Sequence, residues 1–305
     1  MLMSSRESAL VMGVLNRTPD SFSDGGDFVD ADVAAARAES MLAEGADIID
    51  VGAESTRPGA PTIDDATQIA RLGRTIEHLA ACGAICSIDT TSPHVARRAL
   101  DQGAQIVNLV DPSRTREMAR LAKEYGADLV IMHARGAMKD MAGFSNWPED
   151  GYCDVVAEVA SELRNAARIA IEEGLLRASI ALDPGLGFSK NARQSLALCA
   201  HIDALVAFGH PVVVGASRKS FLARVVTEDG VALPAPADRL AAGLAVAIAC
   251  VEQGATVVRT HDVAATKQAL AMARAIKGAR SPAPSAHSGP REDLHEASEA
   301  EVARA

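Results

Sequence analysis

Aromatic residues are scarce, with one tryptophan, two tyrosines and six phenylalanines in 305 residues. The core must therefore be built from aliphatic side chains and alanine, and a hydrophobic content of 48% provides enough of them for a large globular interior. Cysteine is also thin. Cys82, Cys86, Cys153, Cys199 and Cys250 are odd in number and contain no CxxC pair, which argues against a disulfide framework and a zinc site. They read as buried or half-buried thiols, and none falls in a polar cluster that would activate a nucleophile. Basic residues are in deficit: 30 Lys and Arg against 40 Asp and Glu leave a formal charge of −10. Without a basic patch or tail, nonspecific nucleic-acid binding is excluded as a function. No run approaches the roughly 18 apolar residues that span a bilayer, and the start MLMSSRESALVMG lacks the apolar stretch of a secretory leader. The expectation is a cytoplasmic protein with no membrane partner.

What the chain does contain is a repeat. Eight short apolar runs, each ending on a polar residue, occupy 11–16, 47–52, 84–89, 105–110, 128–133, 179–184, 211–216 and 256–261. Alanine-rich amphipathic segments of helical composition separate them. Most of these close on a glycine just before the next run, at Gly45, Gly83, Gly103, Gly126, Gly174, Gly209 and Gly254, where a helix C-terminus accepts a residue of positive φ. Apolar strands alternating with helices predict a parallel sheet covered on both faces. An open doubly wound sheet is the alternative, but it has fewer strands and a glycine fingerprint after the first. Here the first run leads into Asn16, Arg17, Thr18 and Pro19. The predicted fold is a single α/β (β/α)8 TIM barrel over residues 11–280, preceded by an extension at 1–10. The Pro-, Ser- and acid-rich segment 281–305 reads as a disordered tail.

In such a barrel all strand C-termini point the same way, and active sites sit there. The run ends supply Asn16, Glu54 to Arg57, Asp89, Asn108, His133, Asp183, Lys219, Arg259 and His261. For any one Asn, Asp, Ser or Thr, N-capping of the next helix is about as good an explanation. Capping does not explain Arg57, Lys219, Arg259 and His261, and cationic groups gathered at one mouth of an acidic protein imply an anionic ligand. Two loops with paired turn residues, TPDSFSDGG (18–26) and ESTRPGA (54–60), lie above the same ends; either is also readable as a plain connection. No Ser/His/Asp triad is visible.

Six motifs then stand in collinear order: MGVLNRTPDSFSDGG (12–26), DVGAESTRPG (50–59), SIDT (87–90), LDPGLGF (182–188), GASRKS (215–220) and RTH (259–261). Together they resemble the signature of dihydropteroate synthases over residues from about 11 to 277. That resemblance implies condensation of a (dihydropterinyl)methyl diphosphate with p-aminobenzoate in folate biosynthesis, with dissociative loss of pyrophosphate and capture by the arylamine. It implies a pterin pocket of Asp89, Asn108, Asp183 and Lys219. It assigns the pyrophosphate to Arg259, His261 and Asn16, with Mg2+ as cofactor and Asn16 as its one protein ligand. Thr56 and Arg57 would serve the pyrophosphate and the p-aminobenzoate carboxylate, Pro58 and Phe188 would flank the aromatic ring, and Ser220 would lie near the incoming amine. Lys219, Arg57, Arg259 and His261 are the catalytic candidates, and a homodimer is expected.

Four positions depart from the family pattern: Arg17, Ala53, Leu109 and Ala134. Arg17 is expected to point to solvent. Two other readings stay open at this point, a noncatalytic pterin-binding paralogue and a pterin-binding methyltransferase. Neither has a reason to keep both loops together with Arg57, Lys219, Arg259 and His261.

Overall fold

The computed structural model describes residues 2–3, 8–17, 29–54, 63–136, 145–227, 231 and 233–279. Eight strands are found where eight apolar runs were read: β1 (Leu10–Asn16), β2 (Ile48–Gly52), β3 (Cys86–Asp89), β4 (Ile106–Leu109), β5 (Asp128–Met132), β6 (Ile180–Asp183), β7 (Val213–Val214) and β8 (Val257–Thr260). All pairings are parallel, in the order β6-β5-β4-β3-β2-β1-β8-β7. The ring closes between β6 and β7 through a single bridge, Leu182 to Val212, with the Leu182 amide donating to the Pro211 carbonyl at 2.9 Å. The (β/α)8 barrel is thus the fold.

The helices are α1 (Val29–Ala43), α2 (Asp65–Leu72), α3 (Thr75–Ala81), α4 (Pro93–Asp101), α5 (Thr115–Tyr125), α6 (Val155–Glu172), α7 (Ala192–Ala200), α8 (Asp203–Val206), α9 (Ser220–Val226), α10 (Leu240–Glu252) and α11 (Val263–Ala279). Their ends obey local chemistry. Ser92 caps α4 by accepting from the Val95 amide, and Pro93 fills the first turn, where its missing N–H costs nothing. Asn191 and Gln194 form a reciprocal capping box at α7. All seven glycines read as helix stops have positive φ. Gly103 shows a second reason: a Cβ there would sit 2.9 Å from the Ala80 methyl.

Strand side chains alternate between two faces. One set, including Val11, Leu15, Ile49, Val51, Ile88, Val107, Leu129, Ile131 and Leu182, packs outward in the main core with residues of the helices. The other set fills the barrel axis. Its lower layer is Met12, Ile48, Ile106, Val130, Ala181, Val213 and Val257, and Met3 joins it fully buried. Part of the segment expected as a mere extension therefore plugs the barrel floor, tied down where the Leu2 amide donates to Asp128 Oδ2 at 2.7 Å. Strand β1 also begins one residue earlier than expected, since Leu10 pairs with Val257. The expected tail, 281–305, lies outside the described residues.

Candidate active site

Moving two residues up five of the inward-facing rows changes their chemistry, while β5 and β7 carry Met132 and Gly215. Above Ile48 comes Asp50, above Ile85 and Ser87 comes Asp89, above Ile106 comes Asn108, above Ala181 comes Asp183 and above Val257 comes Arg259; Asn16 tops the row of Met12 and Val14. Period-two geometry, not loop folding, delivers these groups to one mouth.

Arg259 organises the centre. Its Nε donates to Asp50 Oδ2 at 2.7 Å and its Nη2 to Asp89 Oδ2 at 2.8 Å, while Asn108 Nδ2 donates to the same Asp50 oxygen at 3.0 Å. Asp50 is fully buried, and Asp89, Asn108 and Asp183 nearly so. Burial alone would weaken the Arg259 cation, but Asp50, Asp89 and Asp183 hold its pKa above the ordinary value. Burial pushes Asp89 up to about 7 against the pull of Arg259, with Asp50 among the neighbours that add to the rise. Asp50 Oδ1, Asp89 Oδ1 and Ser87 Oγ have no hydrogen-bond partner. Buried acceptors left open in this way suit a ligand rich in N–H groups.

Asp183 is raised by burial against the attraction of Lys219, and its Oδ1 accepts from the Gly185 amide at 2.7 Å. The turn needs glycine there: φ is 65°, and a side chain would run into the His133 carbonyl oxygen. Lys219 donates to the Leu186 carbonyl at 2.7 Å, and its Nζ lies 4.6 Å from the centre of the Phe188 ring. Burial brings Lys219 down to about 8, opposed by Asp183. Phe188 belongs to a small apolar wall with Val110, Met132 and Ala134.

At the rim, Ser217 Oγ accepts from the His261 amide at 3.2 Å and contacts ring Nδ1 at 3.1 Å, and Arg37 holds the His261 carbonyl at 3.2 Å. Ser220, the first residue of α9, donates to Ser145 Oγ at 3.1 Å. A Cβ at Gly52 would lie 3.7 Å from Asn16 Oδ1 and 3.6 Å from Asp89 Cβ, which puts Asn16 beside the acid cluster. Among the described residues no group of three or more His, Cys, Asp or Glu is arranged to hold a metal. No helix among them is long and apolar enough to cross a membrane.

Residues 12–261 match the family described as pterin binding enzyme. The chain is 43% identical over 262 residues to the dihydropteroate synthase of Mycobacterium leprae, which covers 85% of this chain and 90% of that one. The dihydropteroate synthase of Xanthomonas albilineans, solved with 4-aminobenzoic acid, has the same fold at a TM-score of 0.80 and 35% identity, covering 89% of this chain and 94% of the other. That of Thermus thermophilus, solved with 6HMPPP, gives 0.73 at 36% identity over 88% and 95%. The chain belongs to the dihydropteroate synthase family.

Membership makes it a transferase and fixes the question the site must answer. Of the residues carried over from the dihydropteroate synthase pattern, Asn16, Asp89, Asn108, Asp183, Phe188, Lys219, Ser220, Arg259 and His261 are placed around one mouth, whereas Thr56, Arg57 and Pro58 lie outside the described residues. His133 ends β5 but turns outward, bonded to Glu162 and Lys190 and not to the pocket. Glu54 accepts from the Ile63 amide at 3.0 Å and from Gln68 at 3.4 Å, joining the two sides of the second loop.

Arg17 corrects an expectation. It is buried, and its Nε donates to the Arg71 carbonyl at 2.9 Å, while Arg71 donates to the Ala53 carbonyl at 3.1 Å. A guanidinium fits there because backbone carbonyls, rather than water, take its protons. Of the other departures, Leu109 packs outward in the core, away from the site, and Ala134 thins the Phe188 wall. Asp50 was missed.

Proposed function

We propose that the barrel, residues 11–280, condenses a (dihydropterinyl)methyl diphosphate with p-aminobenzoate to give dihydropteroate and pyrophosphate. The observation that carries this reading is Arg259 held across the mouth by Asp50 and Asp89, beside Asp183 and Lys219. Asp89, Asn108 and Asp183 offer acceptors and one amide to the donor-rich edge of a pterin, and Lys219 meets it from the Phe188 side.

The reaction begins as the methylene C–O bond breaks and its electron pair leaves with the diphosphate. Arg259 and His261 stand where they can offset that charge, and the buried acids Asp89 and Asp183 favour the cation left on the pterin methylene. The arylamine lone pair then forms the C–N bond, and the nitrogen gives up a proton. Lys219, with a pKa near 8, is placed to take that proton when neutral. Phe188 and Ser220 border the arylamine, and Thr56, Arg57 and Pro58 complete that side in this reading.

Mg2+ fits the donor chemistry. The Asn16 amide oxygen stands near Asp89 at the phosphate side, and Mg2+ takes few protein ligands when phosphate oxygens supply the rest. When bound it would polarise the leaving group.

We also read the enzyme as a cytoplasmic homodimer. Support for the dimer comes from exposed apolar side chains at the end of α9 and just after it, Val225 at 47%, Val226 at 65%, Val231 at 59% and Leu233 at 41%. Release of pyrophosphate by purified protein with Mg2+ tests the activity. Release should rise strongly when p-aminobenzoate is added, and dihydropteroate should form with it. No release would favour a binding paralogue, and release that p-aminobenzoate neither speeds nor couples to dihydropteroate would remove the synthase reading.

A further inference from the structure

Lys190 is among the largest fully buried side chains of the described residues, and no step of the reaction above uses it. Its Nζ contacts the Phe188 carbonyl at 2.9 Å, His133 Nδ1 at 2.9 Å and the His133 carbonyl at 3.5 Å. On its other edge, His133 Nε2 lies 2.9 Å from Glu162 Oε2. The bond from His133 brings Glu162 down to about 2, and burial brings His133 down to about 4. A neutral ring facing a carboxylate carries its proton on Nε2, so Nδ1 accepts from Lys190. The chain continues outward to Arg135, which pairs with Glu162 and, at 2.7 Å, with Glu158.

This chain grips an unusual piece of backbone. Between β6 and α7, Gly185, Gly187 and the non-glycine Ser189 all have positive φ, the last at 47°. Such a conformation persists only where neighbours over-determine it. Ser189 Oγ donates to the Arg135 carbonyl and accepts from its amide, Tyr152 holds the Ser189 carbonyl at 3.0 Å, and Ser195 takes the Gly187 amide at 3.1 Å. Lys190 adds the contact to the carbonyl of Phe188 itself, whose ring faces Lys219.

We propose that Lys190 is the positioning residue of the arylamine subsite, fixing the Phe188 carbonyl against the end of β5 and so setting the plane of the ring beside p-aminobenzoate. The inference rests on the reading of Phe188 as a wall of that subsite. Asp183 is anchored by β6 and by the Gly185 amide at the near end of this turn, and Lys190 reaches its carboxyl only as a minor charge, so the pterin side should change little.

The test is steady-state kinetics on Lys190→Met and Lys190→Gln, with Phe188→Leu as reference. Lys190→Met should raise KM for p-aminobenzoate by roughly tenfold or more and leave KM for the pterin diphosphate within about twofold. Lys190→Gln keeps a donor for the Phe188 carbonyl and should lie closer to wild type. Both KM values rising together, neither changing, glutamine failing to rescue, or both variants failing to fold would each overturn the role. If Phe188→Leu leaves KM for p-aminobenzoate unchanged, the subsite reading itself is wrong and the inference falls with it; a rise for Phe188→Leu alone would overturn only the role of Lys190.

Discussion

The two ends of the barrel axis are built by the same alternation on the same strands, yet they do opposite things. At the floor, Met12, Ile48, Ile106, Val130, Ala181, Val213 and Val257 meet with Met3 in an apolar plug. One inward step higher, Asp50, Asn108, Asp183 and Arg259 stand above four of them, with Asp89 alongside. The floor gains stability from burial and gives up nothing to function. The mouth buries three carboxylates against two main cations and leaves acceptor atoms unpartnered. Buried polar groups of this kind are held at a cost that only a ligand recovers. The difference teaches that stability and activity in this chain are separated by a single repeat of the strand.

That separation can be broken by experiment. Asp183→Ala should have the largest effect on ligand affinity, with pterin binding lost in a calorimetric titration; near-normal affinity would end its role as anchor. Arg259→Ala should lower turnover by about 10²–10³-fold, as loss of a transition-state charge donor does. It should also cost about 3–5 kcal/mol of stability, because two buried acids lose their counter-ion. Adding Asp50→Asn to Arg259→Ala should restore part of the melting temperature and none of the activity. Stability unchanged in the single variant would show that the acids are neutralised in another way.

Ile106→Ala, in the floor, should cost about 2–5 kcal/mol in denaturant unfolding with both KM values kept. A specific loss of substrate affinity there would mean that the two ends are coupled.

The smallest change between neighbouring measurements, about 1.4 kcal/mol per pH unit, comes with pH. Asp89 has its pKa raised in the fold, so between about pH 4 and 7 the folded state holds a proton that the unfolded chain has released. Its contribution to stability is therefore lost as pH rises through that window, by an amount on the order of 4 kcal/mol. Asp89→Asn should remove this slope from melting curves measured between pH 5 and 8. A wild-type slope retained in the variant would assign it to another group.

Most of the barrel was legible before any coordinates, because eight apolar runs and seven stop glycines repeat a unit that has few other solutions. The inner and outer parity was not. In strands of two to seven residues with both faces apolar, alternation leaves no mark until a polar residue breaks it, and Asp50, flanked by Ile49 and Val51, passed as part of a run. Asp89, Asn108, Asp183 and Arg259 were legible because they sit at strand ends, where polar residues are conspicuous. Lys190 was beyond reach, since nothing in FSKN tells a reader that the side-chain nitrogen turns inward to a histidine 57 residues away. Arg17 misled for the related reason that its acceptors are main-chain carbonyls, which every sequence contains and none advertises.

The Arg259 bridge spans 209 residues to Asp50 and 170 to Asp89. During synthesis the acids of β2, β3 and β6 therefore emerge long before the guanidinium that pairs with two of them. A truncated or nascent barrel ending before β8 carries carboxylates with no partner to bury them against, and solvent keeps them. The ring and the ligand pocket both need β8, so a fragment lacking β8 should be recognisable by having neither.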